Sequence, residues 1–189
     1  MGAWIWLSIA VAIWFGLAAI SFAGTRARRR RGLQRTFGPE YDRVVADAPN
    51  RRDAEAELTE RRARREQLEI HDVRPTVRSR FADRWRQIQE RFVDDPDTAI
   101  LEADALIQEV MHDRGYPVED FERRAADLSV DHPQVVENYR AAHAISVARA
   151  RGEATTEDAR VALVHYRSLF EELLERAAQS AVRDSEPAA

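Results

Sequence analysis

Two pairs of side chains have the types and spacing to do chemistry together. Tyr139 and His143 stand four residues apart in "YRAAH", on one helical face with Val135, Val136 and Val147. His165 and Tyr166 lie on or beside the apolar stripe of the segment that follows. A buried phenol or imidazole must find a hydrogen-bond partner, so these four are expected to meet as an inward-facing polar cluster. Such a cluster fits two roles. One is mutual satisfaction inside a core, the reading preferred here; the other is a small-ligand or proton-transfer site built from Tyr139, His143, His165 and Tyr166.

The other motifs are less specific. Glu109-x-x-His112 has the spacing of half a di-iron site in a helical bundle, but its side chains fall away from the apolar face centred on Ala103, Ile107 and Val110, and a second copy of the motif is missing. The doublets His71-Asp72 and His112-Asp113 are too common to indicate a metal phosphohydrolase. There is no glycine-rich phosphate loop, Gly-x-Ser-x-Gly, His-Glu-x-x-His or calcium loop. The absence of cysteine removes disulfides, thiolate nucleophiles and cysteine-ligated metals. No catalytic residue, metal or cofactor is expected.

The elements that would position these residues are all helices, since no stretch alternates as a strand does. Pro39 predicts a short helix at 39–47, and 51–69 predicts a highly charged helix with a thin stripe of Ala54, Leu58 and Leu68. After Pro75, with Thr76 as its cap, Val77, Phe81, Trp85, Ile88 and Phe92 recur at helical steps. Asp95-Pro96 opens a helix with a broad face of Ala99, Ile100, Ala103, Leu106, Ile107, Val110 and Met111, stopped by Gly115. A short helix is expected at 119–128. The next should start at Asp131, with that residue as cap and Gln134 three positions on, and run to Gly152. Thr155 or Thr156 caps the last, whose stripe is Ala159, Ala162, Leu163, Tyr166, Leu169, Phe170, Leu173 and Ala177. The fold class expected is all-α: an N-terminal transmembrane helix followed by a compact multi-helix bundle.

Charge is distributed unevenly. All 29 basic residues are arginine; residues 1–35 hold six of them and no acid, leaving 23 against 33 acids and a body of about −10. So acidic a body is a poor match for nucleic acid, and no nucleic-acid partner is expected. Gly2–Gly24 has no charged residue and, as a helix, spans roughly 34 Å against a bilayer core of about 30 Å. Its basic residues, Arg26, Arg28, Arg29, Arg30, Arg31 and Arg35, follow the run instead of preceding it, which is the reverse of a secretory signal, although Ser21-Phe22-Ala23 would pass as a cleavage site. Arginines flanking a span stay on the cytoplasmic side. The N-terminus is therefore expected outside an inner membrane crossed once and the body in the cytoplasm, with those six arginines against anionic lipid headgroups. The arginines of 74–91 are expected to pair with the acids of 94–122 within one bundle; the alternative, attachment of this helix to a membrane surface or nucleic acid, requires it to be exposed instead of paired.

From about Phe92 to Leu174 the chain resembles a family of small bacterial proteins of no established activity, often with one N-terminal span; "RGYP", "SVDHP" and "YRAAH" carry the likeness. The resemblance implies a bacterial, membrane-linked protein and transfers no cofactor or site residue. The expected plan is an anchor at 1–24, a polybasic segment at 25–35, a short helix and charged stalk at 36–74, a bundle at 75–180 and a disordered tail at 181–189. Such a chain is expected to act by binding a protein partner, as an adaptor or envelope-stress accessory.

Overall fold

The computed structural model describes the backbone of residues 27–184 and the side chains of residues 27–174. Regular structure among the described residues is entirely α-helical. The span predicted at 1–24, together with Arg26 and residues 185–189, lies outside them; no helix among the described residues is long and apolar enough to cross a membrane. The helices are α1 (27–37), α2 (Pro39–Asp47), α3 (Arg51–Glu66), α4 (Pro75–Asp94), α5 (Pro96–Asp113), α6 (Phe121–Asp131), α7 (Val136–Ala150) and α8 (Thr156–Asp184). The chain divides within α3 into two compact units, one ending at Leu58 and the other starting at Thr59.

In the first unit the break between α1 and α2 is Gly38, whose φ of 49° is in the region glycine adopts without strain. Pro39 then opens α2. Leu33, Phe37, Tyr41, Val44, Ala54 and Leu58 are buried. The Tyr41 hydroxyl donates to Glu55 Oε1 at 2.9 Å, and the buried Glu40 carboxylate accepts from Arg43 Nε and Nη2 at 2.9 and 3.0 Å. Asn50 caps α3 by accepting from the Asp53 amide at 3.0 Å.

In the second unit α5 is the hub, packing against α4, α7 and α8, while α6 packs on α7 and α7 on α8. All seven residues of the predicted α5 face are buried. Phe81, Trp85 and Ile88 are the buried positions of α4, with Val77 and Phe92 packed partly against them. The Trp85 ring stacks on Phe170 of α8 with centroids 4.8 Å apart. Asp95 caps α5, accepting from the Thr98 amide, and Thr155 caps α8 in a reciprocal box with Asp158. Gly115 and Gly152, with φ of 91° and 73°, end α5 and α7. In each case the next residue's amide returns to a carbonyl five residues back, Tyr116 to Met111 and Glu153 to Ala148, both at 2.9 Å.

Four local expectations change. Thr76 is not the cap of α4: Pro75 occupies the first turn and Arg74 is the cap residue, without a side-chain cap bond. Asp131 does not start α7. It is the last residue of α6, because its carboxylate is taken by Tyr116 and Arg65, and α7 begins only at Val136 after a turn through His132. Val147 was placed on the inward face of α7 but is 37% exposed, since the hydrophobic register of this helix is weak past Ala142. At the C-terminus, α8 runs on through 181–184, where a tail was expected; "RAAQSAVR" contains three alanines, the residue that costs a helix least.

Candidate functional site

Tyr139 of α7 and Tyr166 of α8 are both fully buried, their rings edge-on with centroids 6.4 Å apart. Their hydroxyls point to opposite partners. Tyr166 Oη donates to Asp104 Oδ1 of α5 at 3.1 Å, while Tyr139 Oη accepts from Arg124 Nε of α6 at 3.0 Å. Arg124, itself buried, also donates to the Val118 carbonyl at 2.8 Å, and Gln108 Nε2 donates to the second Asp104 oxygen at 2.7 Å. The chain Arg124–Tyr139–Tyr166–Asp104 therefore ties four helices together through groups that satisfy one another.

The two histidines stand apart from this chain. His143 is half-buried and lies parallel on Phe121, with ring centroids 3.7 Å apart and 10° between planes. His165, also half-buried, precedes Tyr166 on α8. Of the four predicted residues, then, the structure joins the tyrosines and brings in Arg124 and Asp104, which sequence reasoning missed. A signal for Arg124 existed: Phe121, Arg124, Ala125 and Leu128 follow the spacing of an inward helical face.

Electrostatics limit what these groups can do. Burial, with the nearby Asp104 carboxylate second, pushes the Tyr139 phenol up to about 12 despite the opposing Arg124. Burial and then Asp104 raise Tyr166 as well. Both remain neutral near pH 7, acting as hydrogen-bonding groups and not as proton acceptors. Burial lowers His143 below its ordinary 6.5, with Asp104 partly opposing. An NMR titration of its ring protons should give a midpoint under 6.5. Because the unfolded chain then binds the proton more readily, His143 subtracts stability as the pH falls through 6.5, and His143→Phe should remove that increment of acid sensitivity.

A second polar layer joins the C-terminal half of α3 to α6. Asp131 accepts from the Tyr116 hydroxyl at 2.5 Å and from Arg65. Arg61 reaches Ser129, and Arg64 lies 3.7 Å from the buried Asp127, whose carboxyl is raised by burial against the pull of Arg64 and Arg123. Beside it, His132 Nδ1 lies 3.1 Å from Glu172 Oε1. The charged helix thus docks through side chains read from sequence as a solvated stalk.

A groove of about 510 Å³ lies on the outer side of α4 and α5. Val77, Phe81 and Val118 give it apolar surface; Arg74, Arg80 and Arg84 line one wall and Glu109, His112 and Asp113 the other. Glu109 faces outward, as its register predicts, and receives both Nη atoms of Arg84. That bond, followed by the charges of Arg84 and Arg80, holds the Glu109 carboxyl below the usual range. Arg91 pairs with Glu102 at 3.3 Å on the same helix pair. Among the described residues no group of three or more histidines and carboxylates is placed to hold a metal ion. No protein-family model, curated protein or solved structure matches the chain, so the resemblance of residues 92–174 finds no counterpart there.

Proposed function

We propose that this chain is a membrane-tethered helical interaction module, held by a single N-terminal span with its N-terminus outside and its acidic domain in the cytoplasm, where it binds a protein partner. The observation that carries the tether is the charge pattern of α1. Leu33 and Phe37 are buried, and at 100° per residue Arg28, Arg31 and Arg35 stand on the opposite side of the helix, exposed, while Arg29 and Arg30 lie one turn earlier on the side of Leu33 and Phe37. A folded helix that buries one face and offers a row of guanidiniums on the other suits an anionic lipid surface, at about 1 kcal/mol per arginine near the bilayer. The order of charge and apolar residues gives the orientation.

The interaction role follows from what the domain presents and what it keeps inside. The buried tyrosines are already engaged by Arg124 and Asp104, which weighs against an enzyme or receptor built on Tyr139, His143, His165 and Tyr166. What faces solvent is mainly charged helix surface, with Val93, Leu101 and Val164 exposed among it, which supports binding over chemistry.

C-terminal fusions to a fluorescent protein that matures in the cytoplasm, and to a phosphatase active only outside, test the orientation. The unaltered chain should fluoresce and lack phosphatase activity, and the variant with Arg28→Glu, Arg31→Glu and Arg35→Glu should lose that bias. Phosphatase activity from the unaltered chain, or an unchanged bias in the variant, would refute the tether as proposed.

A further inference from the structure

The pairing between α4 and α5 has a register. Arg91 meets Glu102 and, seven residues back on one helix and seven forward on the other, Arg84 meets Glu109. One more turn along the same antiparallel ladder brings Arg80 opposite Asp113. There the ladder opens. Among the described residues neither Arg74 nor Arg80 has a carboxylate within ion-pair distance, and the groove of about 510 Å³ lies between the two helices at this point.

We propose that this groove binds an amphipathic monoanion: a compact apolar body carrying one carboxylate. The volume lies within the range of small-molecule sites, and the lining combines an apolar surface with a few charged groups, as such sites do. Val77, Phe81 and Val118 receive the apolar body. Arg74 and Arg80, exposed on one rim, receive the carboxylate, which a guanidinium can grip through two parallel hydrogen bonds. Arg84 takes no part because Glu109 already occupies it. Asp113 on the far wall limits the charge: a second anionic group would be brought towards it, so a monoanion binds and a dianion is disfavoured. The site is independent of the buried tyrosine chain and of the membrane tether.

The test uses the full chain in nanodiscs, with empty nanodiscs subtracted, and 4-phenylbutyrate as probe against its neutral amide and the dianion phenylsuccinate, followed by ligand-observed NMR. The carboxylate should bind roughly tenfold or more tighter than the amide, the yield expected from one charge-assisted contact, and tighter than the dianion. Arg74→Gln with Arg80→Gln should abolish the preference for the carboxylate while leaving the thermal melt unchanged, since both side chains are exposed. Asp113→Asn should let the dianion bind as well as the monoanion. Arg86→Gln, on the same helix but outside the groove and paired with Asp83, should change nothing. Equal binding of acid and amide, no binding of either, an unaffected double variant, or an equal loss in Arg86→Gln would each overturn the proposal.

Discussion

Raising the pH from 10 to 12 is expected to unfold the second unit. Tyr116, Tyr139 and Tyr166 are each no more than 2% exposed, and burial is the first cause holding all three phenols above their ordinary 10; Tyr139 reaches about 12. In each case the raised value belongs to the folded state. Below pH 10 both states keep the proton and no penalty arises; above it the unfolded chain releases protons that the folded chain retains, and stability falls with each pH unit. Three such groups give a slope of about 4 kcal/mol per pH unit once the unfolded phenols are ionised. Over the window this sums to a loss of about 6–7 kcal/mol, which unfolds a domain in the lower part of the typical stability range of roughly 5–15 kcal/mol. Denaturant melts followed by circular dichroism at successive pH values would measure the slope. Tyr139→Phe should reduce it by about a third, because one proton leaves the balance. A midpoint that stays level to pH 11.5 would mean that the phenols ionise in the folded state.

Gly115→Ala should be among the most damaging single substitutions in the chain. The residue has a φ of 91°, and a Cβ placed there would stand 2.4 Å from the Glu69 carbonyl oxygen, a backbone atom that cannot swing aside. The left-handed conformation costs an alanine about 1–2 kcal/mol, and the overlap adds roughly 1–3 kcal/mol as the segment after α3 is pushed off the end of α5. Gly152→Ala carries the first contribution alone: its φ of 73° has the same conformational cost, but nothing lies within 4 Å of the added carbon. Chemical denaturation of the two variants should therefore separate them by roughly 1–3 kcal/mol, with Gly115→Ala the less stable. Equal losses would show that the segment around Glu69 moves freely. The contact matters beyond stability, since the His71 amide donates to the Arg114 carbonyl at 3.0 Å and the same turn leads into the groove wall at Asp113.

Much of this molecule is legible from local pattern. The α5 face was readable residue by residue, as were Phe81, Trp85 and Ile88 of α4, because apolar periodicity is a property of the element itself and any partner must bury the same stripe. The glycine stops at 115 and 152 were readable for the same reason: a left-handed residue is required where α5 and α7 end, whatever packs nearby.

What sequence alone determined, then, is the all-α class, most helix boundaries, the buried faces and the charge asymmetry of the two ends. The tertiary structure decided which polar groups meet. Asp131 looked like a cap and became the acceptor for Tyr116 and Arg65; Arg61 and Arg64 looked solvated and lie against α6; Tyr139 found Arg124 instead of a histidine. The third rung of the α4–α5 ladder is open although its charges match. The physical reason is range. Helix formation and amphipathicity are set within about two turns of chain. A buried hydrogen bond is set by whichever donor the packing brings close, and Arg65 and Asp131 meet across 66 residues of sequence.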